Sequence, residues 1–379
     1  MKKAVIVGGS NGIGFAIASE LSKRGNPVII LDTVMPFSQI DNCTYIKTDL
    51  SMLDNDLFEE LRNDNDVNTV FITAGFGRIC EFDSISETEI DKLYKVNAIS
   101  ATKIIRMFYQ RIKSDEGFYF GVMGSIAGLV SSPLFSVYSA TKASVCKLIE
   151  ALNIELEASN TTNRILNVSP GSIKGTKFNG GENDVSLTRN LAIEIVDRLY
   201  SRETLYIPDY EKIYKGVIDR YNNDSHKFGL DSYEYKIQSG RINTKSPIKI
   251  GYLSGTFDLF HVGHLNLIRR AKAECDYLIV GVHPDASHKG KKTVIDFESR
   301  MEIVGSCKYV DKVVVSCPED SEAWEKCHFD KLFVGSDYKG TERFLKYEEY
   351  FKDKGVEIIY FPYTQKISST QIREKITKK

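Results

Sequence analysis

A cysteine pair at two-residue spacing, the usual mark of a zinc knuckle or a redox couple, does not occur in this 379-residue chain. Its seven cysteines, Cys43, Cys80, Cys146, Cys275, Cys307, Cys317 and Cys327, are scattered and odd in number. Such a set fits reduced thiols and a cytoplasmic setting rather than a disulfide framework. Long apolar runs are missing too. The first one covers only Ala4 to Val7 before glycines intervene, too short for a secretory core segment. No stretch approaches the ~20 apolar residues of a membrane helix. Charge of one sign is also lacking. A net charge of −1 argues against a protein that coats nucleic acid, while leaving room for local basic pockets. Internal repeats and low-complexity tracts are absent.

Apolar material is ample. Hydrophobic residues make up 42%, and the length exceeds one ordinary domain, so two cores can be built. Strand-like runs at 4–7, 27–31, 67–73, 118–123 and 164–168 alternate with helical patterns such as 13–24 and 136–158. A second series begins at Ile248, with strands expected at 249–253, 277–282, 312–315, 331–334 and 357–361 and helices near 265–274, 297–307 and 341–353. Alternating β and α segments imply parallel sheets covered by helices. The expectation is therefore an α/β protein of two Rossmann-like parallel-sheet domains, residues 1–235 and 248–379. Segment 231–247 is polar and aperiodic and reads as the linker. The tyrosine-rich stretch 200–230 completes the first domain.

In the first domain, a strand runs into Gly8-Gly9-Ser10-Asn11-Gly12-Ile13-Gly14 and then a helix. Glycines let a backbone turn tightly against a pyrophosphate, and the helix N-terminus stabilises its charge. A plain connector has glycines as well. Asp32, at the end of the second strand, strengthens the cofactor reading, because a carboxylate there holds adenosine ribose hydroxyls. It also repels a 2′-phosphate, which favours NAD(H) over NADP(H). Tyr138 and Lys142 share one helix face. An ammonium beside a phenol lowers its pKa and suits it to exchange a proton with a carbonyl while hydride moves. The same spacing at Tyr109/Lys113 and Tyr350/Lys354 is read as surface helix. Ser125 follows the fifth strand and can hydrogen-bond a substrate oxygen; Asn97 can hold a helix and a water in the proton path.

Residues 1 to about 200 resemble a short-chain dehydrogenase/reductase. The resemblance rests on the GGSNGIG loop, Asp49–Leu50, Thr73–Ala74–Gly75, Asn97, Ser125, YSATK at 138–142 and SPGSIKGT at 169–176. It implies a tetrad of Asn97, Ser125, Tyr138 and Lys142. It also implies cofactor contacts from Gly8, Ser10, Asn11, Gly12, Ile13, Gly14, Asp32, Asp49, Leu50, Ala74, Gly75, Gly171 and Thr176. Val7 stands where the family has threonine, and Thr73 where it has asparagine; both are expected to adjust packing without removing activity.

The second domain carries SGTFDLFHVGH at 254–264, with two of the chain's six histidines, His261 and His264, where a strand gives way to a helix. Imidazoles at a helix N-terminus can bond phosphate oxygens and stabilise a leaving pyrophosphate. Nucleotidyl transfer needs positioning and charge stabilisation more than covalent help. A structural histidine pair is the plainer reading. A zinc site from His261, His264, His283 and His288 has no supporting cysteine or carboxylate spacing, and no protein-bound metal is expected. Lys289, Lys291 and Lys292 suit a triphosphate or a solvated loop, and Arg300 follows on a helix. Ser368, Ser369 and Thr370 cap a helix or bind phosphate.

Together, residues 248–377 resemble cytidylyltransferases typified by glycerol-3-phosphate cytidylyltransferase, through GTFDLFHVGH, Asp285, the lysine loop before Arg300, Lys308-Tyr309-Val310-Asp311, GSDYKG at 335–340 and ISST at 367–370. The resemblance implies an HxGH nucleotidyltransferase fold, CTP as substrate with Mg²⁺, and catalysis by His261 and His264. Nucleotide contacts fall to Gly255, Thr256, Phe257, Lys289, Lys291, Asp337, Ser368, Ser369 and Thr370. Tyr363-Thr364-Gln365-Lys366 lacks the family's arginine, and Lys308 replaces another. Lysine does not replace arginine at a bidentate site, so the acceptor is expected to differ from glycerol phosphate. Both families commonly form homo-oligomers.

The sequence thus points to a bifunctional enzyme that reduces a keto-sugar phosphate, a pentulose 5-phosphate, and couples the polyol phosphate to CTP. Its partners are sugar-phosphate and nucleotide substrates, with no nucleic acid or membrane, and its product suits cell-surface polysaccharide synthesis. Two alternatives stand: a cytidylyltransferase for glycerol phosphate or another small phosphate joined to a reductase with an unrelated substrate, or joined to a nucleotide-sensing reductase-like first domain, against which the full tetrad weighs.

Overall fold

The computed structural model describes residues 2–176, 178, 182–242, 248–285, 292–362 and 372–373. The chain divides into two compact units, Met1–Lys245 and Ser246–Lys379.

Unit 1 is built on strands β1 (Lys3–Val7), β2 (Val28–Asp32), β3 (Cys43–Lys47), β4 (Val67–Ile72), β5 (Tyr119–Met123), β6 (Ile165–Val168) and β7 (Leu205–Tyr206). They form one parallel sheet in the order β3-β2-β1-β4-β5-β6-β7. Strand side chains alternate between faces. In β1, Ala4 and Ile6 enter the core beneath helices α1 (Gly12–Lys23) and α6 (Val185–Tyr200). Val5 and Val7 enter the opposite core, with α2 (Asn55–Asn63), α4 (Ser100–Lys113) and α5 (Ser136–Ala158). Burial on both faces explains why Ala4–Val7 of β1 and Val70–Ile72 of β4 read as continuous apolar runs. Short α3 (Glu87–Tyr94) leads into α4 through a π turn at Lys95–Ile99. After β7 come α7 (Lys215–Asn223) and α8 (Ser225–Gln238).

Unit 2 holds β8 (Ile250–Gly255), β9 (Tyr277–Val282), β10 (Lys312–Val315), β11 (Lys331–Gly335) and β12 (Glu357–Phe361), parallel in the order β10-β9-β8-β11-β12. Tyr252 faces the core shared with α11 (Asp320–Cys327) and α12 (Glu342–Lys352). Its neighbour Leu253 faces α9 (Val262–Ala273) and α10 (Phe297–Gly305). The chain is α/β with two Rossmann-like parallel sheets, as the alternating pattern predicts.

Two features differ from the sequence reading. Strand β3 is an unread edge strand, largely half-exposed, so its alternation is weak. Helix α8 runs through the stretch assigned to a linker as far as Gln238. Asp224 caps it by accepting from Lys227 N. Its one buried side chain among the described residues is Lys236, so no apolar stripe announces it. Among the described residues, no helix is long and apolar enough to cross a membrane.

Candidate active sites

In unit 1 the strand order reverses between β1 and β4, and the loops leaving those strands carry the candidate residues. Gly8 has φ +91°, and a Cβ there would overlap Ala74 N. A Cβ on Gly14 would overlap Gly8 O and Thr73 Oγ1, so the turn folds tightly onto the end of β4. Thr73 Oγ1 donates to Gly8 O at 2.8 Å, which gives this threonine a structural use. Asp32 accepts from Ser10 N at 3.0 Å and from Thr33 N at 2.7 Å. Ser10 is buried and donates from Oγ to Val34 O, so its hydroxyl braces the loop. Gly12 N donates to Asn183 Oδ1 at 3.2 Å, and Asn183 Nδ2 donates to Asn11 Oδ1 at 2.7 Å. Ile13 lies in the first turn of α1, its side chain against the α1–α6 core. Thr176 lies within van der Waals reach of Gly12. Asp49 accepts from Ser51 N and Oγ as a cap, with Leu50 buried beside it.

The tetrad residues meet at the ends of β4 and β5. A Cβ on Gly75 would lie 3.2 Å from both Asn97 Oδ1 and Lys142 Nζ. Asn97 accepts from Phe76 N at 3.0 Å and donates from Nδ2 to Phe76 O at 2.9 Å and Thr141 Oγ1 at 3.1 Å. It sits in the π turn, which swings it toward the loop after β4. Ser125 accepts from Ala127 N at 3.1 Å and hydrogen-bonds with Tyr138. Lys142 Nζ donates to Met123 O at 2.7 Å, 5.8 Å from the Tyr138 ring centre.

One expectation is reversed. Burial raises the Tyr138 pKa well above its ordinary value, and the bond with Ser125 offsets only part of that. Burial also lowers Lys142 to about 8. Desolvation is the largest cause for both groups.

Several residues that sequence inspection passes over shape this site. Phe135 stacks on Tyr138 with ring centres 4.2 Å apart. Arg78 donates from Nε and Nη2 to the two carboxylate oxygens of buried Glu89, at 2.8 and 2.9 Å, and from Nη2 to Ser84 O. That pair fixes the loop in which Gly77 packs against the Tyr138 ring. An isolated Arg and Glu eleven residues apart carry no motif. Tyr109 donates to Glu155, and Tyr350 donates to Glu325 with Lys354 over its ring, in keeping with surface roles.

In unit 2 the order reverses at β8, flanked by β9 and β11. His261 caps α9: its Nδ1 accepts from Gly263 N at 3.0 Å, and its ring stacks on His264 at 4.0 Å. Burial lowers the His261 pKa. Phe257 and Phe260 pack around His264. Gly255 ends β8 and lies against Phe257, which holds φ +52°. The Thr256 hydroxyl is buried without a hydrogen-bond partner among the described residues.

Arg300 is fully buried and donates to four carbonyls: Ile295 O, Thr256 O, His283 O and Pro284 O, at 2.6–3.0 Å. It therefore joins the Gly255–Phe257 turn to the end of β9 instead of facing a phosphate. Asp258, missed in the sequence, is equally central. It accepts from Val294 N, Ile295 N and Arg373 Nη2. Burial pushes its pKa up, but these donors outweigh burial and hold it low. Asp337 is exposed at the end of β11. Lys308 lies against the Tyr309 ring at 5.3 Å. Lys289, Lys291, Ser368, Ser369 and Thr370 lie outside the described residues, as does His288.

A family model described as cytidylyltransferase-like matches residues 252–375. Glycerol-3-phosphate cytidylyltransferase of Staphylococcus aureus is 38% identical over 131 residues, 32% of this chain and 90% of that protein. The chain belongs to the cytidylyltransferase-like family. Ahead of that region, a short chain dehydrogenase model matches residues 2–185. An uncharacterized oxidoreductase of Saccharomyces cerevisiae is 30% identical over 188 residues, 46% of this chain and 61% of that protein. The chain thus spans about three fifths of that relative's length. A solved short-chain dehydrogenase from Streptomyces avermitilis aligns with TM-score 0.49 at 20% identity, covering 63% of this chain and 98% of that one. One chain thus carries a region that matches the short chain dehydrogenase model, followed by one that matches the cytidylyltransferase-like model. Unit 1 holds Ser125, Tyr138 and Lys142, and unit 2 holds the stacked histidines.

Proposed function

We propose that unit 1 reduces a keto-sugar phosphate, a pentulose 5-phosphate, with NADH, and that unit 2 couples the polyol phosphate to CTP. The products are a CDP-polyol and pyrophosphate. The observation that carries this is the pairing within one chain of a buried Ser125–Tyr138–Lys142 site with a helix-capping His261–His264 stack.

The residues of unit 1 fit a dinucleotide. The turn leaves no space for a side chain at Gly8 or Gly14, and Asp32 is oriented by Ser10 N and Thr33 N to meet ribose hydroxyls. Gly12 N exchanges the Asn183 Oδ1 acceptor for a phosphate oxygen. When bound, the reduced dinucleotide supplies hydride. Tyr138 stays protonated through burial and gives its Oη proton to the carbonyl oxygen, with Ser125 orienting both. Asn97 holds the loop after β4 in place around Lys142. The carboxylate of Asp32 disfavours the 2′-phosphate of NADPH.

In unit 2 a phosphate oxygen of the polyol phosphate attacks the α-phosphorus of CTP, the bond to the β-phosphate breaks, and pyrophosphate leaves. Because His261 Nδ1 accepts from Gly263 N, its proton lies on Nε2, a donor for phosphate oxygen. Mg²⁺ enters with CTP as part of the substrate. Thr256 Oγ1 and the Gly255 turn meet the nucleotide, Asp337 lies near the nucleotide or acceptor, and the lysine and Ser-Ser-Thr segments meet phosphates. We further propose that the chain acts as a cytoplasmic homo-oligomer feeding cell-surface polysaccharide synthesis. NADH oxidation across a panel of ketose phosphates tests the reductase half; ribulose or xylulose 5-phosphate is expected to be the best substrate.

A further inference from the structure

The segment after β7 lies beyond residue 185, where the match to short-chain dehydrogenases ends. It reaches back to both loops that flank the reductase site. Tyr214 puts its hydroxyl into the space a side chain on Gly171 would fill, and hydrogen-bonds with the Ser172 backbone. Lys236, on α8, donates from Nζ to Ser132 Oγ and to Pro133 O, both at 2.7 Å. Two residues further on, Phe135 stacks on Tyr138. Just before Lys236 on α8, the helix and this same loop border a groove of 270 Å³ lined by Ser131, Pro133, Gly229 and Tyr233.

Lys236 is only 8% exposed, yet no carboxylate pairs with it among the described residues; the charged group acting on it is Arg241, a second cation. A buried ammonium is normally paired, because neutral oxygens replace only part of its hydration. Burial, with Arg241 adding to it, lowers the Lys236 pKa to about 8. A dianion brought to this point would supply the missing counter-charge and meet two cations at once.

We propose that Lys236 is a specificity-determining residue of the reductase site, selecting a substrate that carries a phosphate monoester. This rests on unit 1 being a ketose-phosphate reductase and names what holds the phosphate. The competing role is a brace that merely fixes the Ser132–Phe135 loop.

The test uses the full chain and compares kcat/KM for ribulose 5-phosphate and for unphosphorylated ribulose. Wild type is expected to prefer the phosphorylated ketose. Lys236→Gln is expected to lower that preference about tenfold or more, chiefly through KM, while activity on ribulose stays within about twofold. Lys236→Arg should recover part of the preference, since its charge remains. Arg241→Gln, at an exposed position, serves if Lys236→Gln does not fold, and should lower the preference about threefold. Equal losses on both ketoses in Lys236→Gln, or an unchanged preference in the folded variants, overturns the proposal and leaves the brace. A wild type without preference for the phosphorylated ketose overturns the ketose-phosphate reading, and the Lys236 assignment with it.

Discussion

The two sites sit in equivalent places, at the C-terminal ends of parallel strands where the order reverses, yet they treat charge in opposite ways. In unit 1 the proposed reacting groups themselves are desolvated: Tyr138 and Lys142 are buried, with the phenol raised and the ammonium lowered. In unit 2 the buried charges Arg300 and Asp258 bond chiefly to backbone. Arg300 gathers carbonyls and Asp258 gathers amides, while the histidines stand at a helix start. Reduction requires a proton held on one atom until hydride arrives, and burial holds it there. Nucleotidyl transfer requires a turn of fixed shape around moving phosphates, and rigid buried charges fix it.

The sharpest way to break this comparison is to remove each chemistry separately. Tyr138→Phe is expected to lower ketone reduction about 10³-fold while transfer to a supplied polyol phosphate stays within about twofold. His264→Ala should do the reverse. Loss of both activities in either folded variant would contradict two separate sites.

Arg300→Met comes next. Four carbonyls lose a charged donor, so unit 2 should be destabilised by about 3 kcal/mol or more, with NADH oxidation unchanged. Denaturant titration of transferase activity against reductase activity would read this. Equal midpoints would show that Arg300 does not carry unit 2's turn.

Lys142→Met should abolish reduction and yet stabilise the fold. At pH below 8 the native and unfolded chains both hold the lysine proton, and the native state bears the full burial penalty. Between about 8 and 10.5 the native chain has released the proton and the unfolded chain has not, so wild-type stability rises with pH. The variant's advantage, about 2–3 kcal/mol at pH 7, should shrink across that window. Melting curves at pH 7 and 9.5 check it; an advantage that grows with pH would refute the burial argument.

The smallest effect concerns the cofactor. Wild type should prefer NADH, and Asp32→Ser should narrow that preference about tenfold by removing the repelling carboxylate. A wild-type preference for NADPH in paired kinetics would show that Asp32 is misread.

The parallel α/β class, the glycine turn, the Tyr138–Lys142 pair and the histidine pair are legible in the sequence because each depends on local signals: apolar runs such as β1 alternating with helical patterns, four residues from Tyr138 to Lys142, three from His261 to His264. What stays hidden depends on distant partners. Asp258 is an ordinary aspartate until Ile295 and Arg373 fold onto it. The Arg78–Glu89 pair and Asn183 on the glycine turn have no spacing rule. The direction of the Tyr138 shift was also hidden, because spacing reports the nearby ammonium but not the depth of burial.

One measurement bears most directly on the claim that the two sites act in sequence. The full chain is incubated with CTP, Mg²⁺, NADH and ribulose or xylulose 5-phosphate, and the nucleotide products are identified by mass spectrometry. The account predicts a CDP-pentitol that vanishes when NADH is omitted and returns when the matching pentitol phosphate is supplied. Efficient cytidylylation of glycerol 3-phosphate, with no ketopentose phosphate supporting NADH or NADPH oxidation, would contradict it.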